Sequence, residues 1–206
     1  MNIFIKHLFK IIRFYFYLTK IWICRFPNGN TIDRWILESK IIKELVLSDT
    51  YSQIISVGVS WTNCEYYKFF KIDSAKIFKT VDPFHDPNSF EDHQKCRFEH
   101  FESEDFYDAI LLNGVFGYGT DTLVEVEHML QQCSEILSLN GIVVIGANAK
   151  NGRIKSPDFD IYETARQYGL NPTQIPGLKS NFHPTTHHNG HAFYAFRLMS
   201  DHKTST

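Results

Sequence analysis

Residues 54 to 63 read IISVGVSWTN. An apolar, β-branched run leads through Gly58 into polar residues, which is the pattern of a strand entering a turn. Without a Cβ, Gly58 lets the backbone approach a ligand closely. Turns that cradle phosphates usually carry two or three glycines, so this one either follows another plan or has become a plain turn. The chain on either side bears on that choice.

Downstream, short β-branched or aromatic runs alternate with helical stretches. QIISV (53–57) is expected as the first strand, with a helix beginning in CEYYKFF. KIFKTV (76–81) is a second strand, KCRF (95–98) a short third, and YDAILL (107–112) a fourth. The fourth is almost wholly apolar from Ala109, as a parallel strand covered on both faces should be. TDTLVEVEHMLQQCSEILSLNG predicts a helix with Leu123, Val126, Leu130, Cys133 and Leu137 on one face, closed by Asn140 and Gly141. GIVVIGA (141–147) is a fifth strand, DFDIYETARQYG a further helix, and PTQI and AFYAFRL a closing pair of strands joined by a long loop. This order predicts an α/β fold: a Rossmann-like open twisted sheet, mostly parallel with an antiparallel C-terminal strand, and helices on both faces.

In such a sheet a ligand sits beyond the carboxyl ends of the strands, where strand order reverses. The turns after strands one, two and four therefore supply the candidate binding residues. They are Gly58, Val59, Ser60 and Trp61 in the first, Asp82 and Pro83 in the second, and Asn113 and Gly114 in the third. Asp82 stands 24 residues after Gly58, close to the spacing at which an acid accepts hydrogen bonds from a ribose diol. A loop cap beside Pro83 is the simpler role for the same acid. Gly117 and Gly119 follow Gly114 closely, which is more glycine than a plain turn requires.

The 206 residues, 43% of them hydrophobic, suffice for one core. A net charge of −2 gives no strong basic field for nucleic acid. The charge is uneven, because Lys6, Lys10, Arg13, Lys20 and Arg25 share residues 1–25 with no acid. Cys24, Cys64, Cys96 and Cys133 form no C-x-x-C pair, and read as thiols in a reducing, cytoplasmic setting. Residues 1–27 are expected to be a basic amphipathic helix, residues 28–200 the α/β domain and residues 201–206 a polar tail.

The longest run in that first segment without Lys, Arg or His is Phe14 to Thr19, short of the roughly 20 apolar residues that span a bilayer. At 100° per residue, Lys6, Lys10, Arg13, Tyr17 and Lys20 form one stripe and apolar residues cover most of the rest. Two readings fit: residues 3–25 lie in a membrane interface with the bases toward anionic head groups, or they pack on the domain or on a second copy with only the stripe in water. A second helix, TIDRWILESKIIKEL, is expected behind Thr31 or Asp33 as N-cap.

Taken with these turns, the chain resembles the class I S-adenosylmethionine-dependent methyltransferases over about residues 50 to 198. FYDAILLNG stands in the place of the family's fourth-strand motif, and LSLNGIVVIGAN in that of its fifth. SVGVSWTNCEYYKFF, KTVDP and NGVFGYG are similar to a methyltransferase-like group associated with polysaccharide or glycan modification, in which V-G-V-x-W replaces the glycine-rich turn. The resemblance implies S-adenosyl-L-methionine as cofactor and a small-molecule or glycan acceptor. The family's acid near the end of strand one is absent, since Ile54, Ile55 and Ser56 stand there. A fold retained for binding or scaffolding is the alternative, and a nicotinamide-dependent oxidoreductase a further one that lacks G-x-G-x-x-G.

Methyl transfer is an in-line displacement that depends mainly on alignment, and a base helps when the acceptor is a hydroxyl. NFHPTTHHNGH places His183, His187, His188 and His191 within nine residues. A solvated loop is one account of them; His183 or His187 as base is the other, and no Cys, Asp or Glu lies among them to complete a metal site.

Overall fold

The computed structural model describes residues 3–25, 32–58, 66–85, 92–116, 119–148, 160–185 and 191–199. Strands β1 (Gln53–Val57), β2 (Ile77–Val81), β3 (His93–Gln94), β4 (Tyr107–Asn113), β5 (Leu137–Asn148), β6 (Leu170–Pro172), β7 (Phe182–Pro184) and β8 (His191–Leu198) form one sheet. Its order is β3-β2-β1-β4-β5-β8-β6, with β7 also on β8. The pairs from β3 to β5 are parallel; β8 runs antiparallel to β5 and to both β6 and β7. The expected Rossmann-like open sheet is the one observed.

The strand pleat sends alternate side chains to opposite faces, and both faces are covered. Ile54, Phe78, Leu111, Val144 and Phe193 join one apolar cluster with helices α1 (Ile3–Arg25), α2 (Ile32–Ile36) and α3 (Lys43–Leu47). Ile55, Val57, Val81, Ile110, Leu112, Val143 and Ile145 join the other, with α4 (Leu123–Ile136) and α5 (Ile161–Gln167). The near-continuous apolar runs of β1, β4 and β5 follow from this two-sided cover.

Several expected boundaries move. The segment 95–98 is not a strand: β3 is His93–Gln94, and Phe98–His100 is a 3-10 turn. After β1 the described helix is 3-10, Tyr66–Ile72, rather than α. Helix α4 stops at Ile136, four residues before the expected Asn-Gly close, because Leu137 already pairs with Tyr107 of β4 across a bulge. Asn140 takes a left-handed φ of 73° inside the bend of β5. The closing strand expected at 172–175 lies instead at Leu170–Pro172, and β7 was not foreseen. Thr31 lies outside the described residues, and Asp33 sits within the first turn of α2, not before it. A π-helical turn, Leu37–Ile42, joins α2 to α3 and buries Glu38, which accepts a hydrogen bond from Trp22 Nε1 at 3.1 Å.

Helix α1 packs through Phe14, Leu18 and Ile21, all buried, and Phe14 stacks on Phe69 with ring centroids 4.5 Å apart. Lys10 does not share the solvated stripe foreseen for it. Its Nζ lies 2.5 Å from Asp73 Oδ2, and that partner, against the cost of burial, holds the Asp73 carboxyl below its ordinary range.

The amino edge of the sheet is clamped by Asp108, the acid of the fourth-strand motif. Its Oδ2 accepts from Ser52 N (2.8 Å) and Gln53 N (3.0 Å) at the start of β1, and its Oδ1 from Ser138 Oγ (2.9 Å) in β5. Hydrogen bonds to a charged acceptor are the stronger kind. Asp108→Ala is expected to lower stability by about 2 kcal/mol, measured by urea unfolding, with Asp108→Asn recovering part of it.

The start of α4 carries a second electrostatic clamp. Glu125 accepts from Asp121 N (2.9 Å) and Thr122 N (3.0 Å) in a capping box closed by Glu125 N on Thr122 Oγ1. Arg97 Nη2 reaches its other oxygen at 3.2 Å. The backbone bonds from Asp121 and Thr122 come first in lowering the Glu125 carboxyl from 4.5 to about 2. A carboxyl whose folded pKa is depressed stabilises the fold above its unfolded value and loses that contribution as the pH falls through its folded value. Glu125→Gln keeps the capping shape, so its melting temperature should trail the parent's at pH 6, and the gap should close between pH 4.5 and about 2.

Candidate functional site

Strand order reverses at β1, whose neighbours are β2 on one side and β4 on the other. The carboxyl ends of β1, β2, β4 and β5 therefore meet along one edge. Backbone bonds hold them there: Gly58 N donates to Val81 O (3.1 Å), Asp82 N to Gln94 O (3.2 Å) and Gly114 N to Gly146 O (3.2 Å).

Gly58 has φ 79°, and a Cβ there would stand 2.8 Å from Val115 Cγ2 and 3.2 Å from Asn113 O. Both conformation and close approach demand glycine, so this residue does more than end a strand. At Gly114, φ is 72° and a Cβ would meet none of the described residues within 4 Å.

Between these turns lies Asn113. Its Oδ1 is buried and accepts no hydrogen bond among the described residues. The oxygen rests on Gly146 of β5, where a Cβ would come within 2.2 Å of it. A buried amide oxygen without a donor costs free energy in the isolated chain, and a ligand amine or hydroxyl would repay it. Sequence reading named Asn113 but not the requirement at Gly146, because the pairing of β5 with β4 brings the two together.

Asp82 is buried at the end of β2. Its Oδ1 accepts from Phe84 N (2.8 Å) and His85 N (2.7 Å), so it caps the turn through Pro83. That engages one carboxylate oxygen in the loop role. His85 Nδ1 adds a contact to Oδ1 at 3.3 Å. Beyond β2, His93 Nδ1 meets Thr80 Oγ1 at 2.9 Å, while its buried Nε2 has no partner among the described residues. Sequence analysis passed over His93, since a strand of two residues leaves no periodicity to find.

Val59, Ser60, Trp61 and His187 lie outside the described residues. His183 is half-buried on β7 opposite Phe193, which in turn pairs with Gly146. It thus stands two strands from the end of β5. Among the described residues no three His, Cys, Asp or Glu side chains converge as a metal site would need.

No protein-family model matches the sequence, and no curated protein matches it. Solved structures do match its fold. The N-methyltransferase NodS from Bradyrhizobium japonicum WM9 in complex with S-adenosyl-L-homocysteine aligns with a TM-score of 0.56 at 11% identity, over 82% of this chain and 93% of that one. A TehB-like SAM-dependent methyltransferase from Corynebacterium glutamicum gives 0.55 at 16%, over 91% and 99%. The Burkholderia thailandensis 1,6-didemethyltoxoflavin-N1-methyltransferase, with bound 1,6-didemethyltoxoflavin and S-adenosylhomocysteine, gives 0.51 at 12%, over 91% and 90%.

The contact between Asn113 and Gly146 predicts non-additivity. Gly146→Ala should destabilise by about 1–3 kcal/mol through overpacking. In a denaturation cycle with Asn113→Ala, much of that loss should be recovered, because the second change removes the clashing amide. At these identities the likeness is one of architecture, and it establishes that the chain has the fold of the S-adenosylmethionine-dependent methyltransferases.

Proposed function

We propose that the chain is a small S-adenosylmethionine-dependent methyltransferase acting on a hydroxyl of a sugar, glycan or other small acceptor. The observation that carries the cofactor is Asn113 Oδ1, a buried acceptor without a donor among the described residues, at the strand switch point between the turns at Gly58 and Gly114. The amine and hydroxyl groups of an amino-acid nucleoside are donors of the kind this oxygen lacks. Asp82, buried at the end of the adjacent strand, is the acid for a ribose hydroxyl.

When bound, S-adenosylmethionine supplies an electrophilic methyl group on a sulfonium. Gly58, Asp82, Asn113 and Gly114 would hold it, joined by Val59, Ser60, Trp61 and Pro83 from the same turns. Their work is alignment, which in a displacement of this kind supplies much of the acceleration. His183 or His187 is our candidate to take the acceptor's proton. The sugar or glycan class rests on the resemblance of the V-G-V-x-W turn, Gly58 through Trp61, to the glycan-modifying group.

One observation favours the second reading, a protein that keeps the fold for binding alone. Ser56, buried in β1, stands where the family has its acid. Titration calorimetry with S-adenosylhomocysteine separates the two. The enzyme reading expects micromolar binding, weakened at least tenfold by Asp82→Asn, which keeps an oxygen for the Phe84 and His85 amides. It also expects Asn113→Ala to abolish binding while leaving stability unchanged or raised, since the substitution removes an unsatisfied oxygen. No heat at millimolar ligand from a folded protein would decide for the binding module. With binding in hand, transfer of a labelled methyl group to a panel of sugars and glycans tests the acceptor class.

A further inference from the structure

Helix α1 has more apolar surface than its packing uses. The buried side chains Phe14, Leu18 and Ile21 occupy one arc. Phe4, Leu8, Ile12 and Phe16 occupy another that faces away from the domain, with Phe4 72%, Phe16 68% and Ile23 69% exposed. Exposed Ile32 and Trp35 on α2 add to it, and Trp35 meets Trp22 edge to face at 4.8 Å. Single exposed apolar residues are ordinary, but a continuous row of this length marks a surface made for contact.

The third arc carries charge. Lys6, Arg13 and Lys20 are all exposed, and α1 contains no acid. Lys10, the remaining base on the same side, is spent on Asp73 with Asp49 4.0 Å away. No described helix is long and apolar enough to cross a membrane. An exposed apolar row beside a purely basic row is the arrangement of a helix lying in the plane of a lipid interface. Two copies packed through this face would instead gather six bases without a counter-charge from either α1, which disfavours self-association.

We propose that α1 docks the protein on an anionic lipid surface, with Phe4, Leu8, Ile12 and Phe16 at the level of the acyl boundary and Lys6, Arg13 and Lys20 on the head-group phosphates. The inference is independent of the methyltransferase reading, because no residue of the crevice takes part.

Vesicle co-sedimentation of the whole chain tests it. Binding is expected to vesicles of mixed phosphatidylcholine and phosphatidylglycerol, to be weak on phosphatidylcholine alone, and to fall steeply between 0.1 and 0.5 M salt. The triple substitution Lys6→Gln, Arg13→Gln, Lys20→Gln should lower partitioning on the order of 100-fold, at about tenfold or less per base. Phe4→Ser with Phe16→Ser should lower it on neutral and anionic vesicles alike. These positions are exposed, so unchanged circular dichroism and melting temperature are expected of both variants. Equal binding to neutral and anionic vesicles, or none to either, would overturn the proposal. So would a dimer in sedimentation velocity that Phe4→Ser with Phe16→Ser dissolves, since the face would then belong to a second copy.

Discussion

The close approach of two turns governs the carboxyl edge of the sheet. Gly58 sits so near Asn113 O and Val115 that no Cβ fits between them, and Gly146 lies under the Asn113 amide with no more room. Both contacts exist because β1 and β5 flank β4 in parallel register, with Val57 opposite Leu112 and Asn113 opposite Gly146. In the same register Asn113 Oδ1 has no donor among the described residues. A buried acceptor without a donor costs free energy, so this oxygen, at the point where strand order reverses, is the polar group of β4 that none of the described residues satisfies.

The opposite edge is built on contrary terms. There Asp108 has donors on both oxygens, from the start of β1 and from β5. One acid of the fourth strand therefore closes the amino edge, while the amide oxygen at the far end of the same strand, Asn113 Oδ1, has no donor among the described residues. Along one strand, then, the acid has its hydrogen bonds within the sheet and the amide does not, among the described residues.

Much of this was legible in the sequence. The apolar runs of β1, β4 and β5 and their alternation with helices follow from burial on two faces, which composition records directly. Gly58, Asp82, Asn113 and Gly114 were legible as the residues that leave those strands. The end of α4 was not. Asn140 and Gly141 signal a turn equally well after a helix or within a bent strand, and only the pairing of Leu137 with Tyr107 decides for the strand. The demand at Gly146 and the half-buried His93 stayed hidden because each is set by a neighbouring strand, Asn113 of β4 in one case and Thr80 of β2 in the other.

The N-terminal helix shows the same limit from the other side. Periodicity gave one basic stripe and a wide apolar remainder, yet the structure divides that remainder into a packed arc and an exposed one. What makes the division is local: Phe14 finds Phe69, and Lys10 leaves the basic stripe for Asp73. Both partners belong to the crossover between β1 and β2, Phe69 within the 3-10 helix Tyr66–Ile72 and Asp73 directly after it. That crossover begins at Gly58. The segment that holds the middle of α1 is thus continuous in chain with the turn at Gly58, while the end of α1 is held separately, by Trp22 on Glu38 and Trp35.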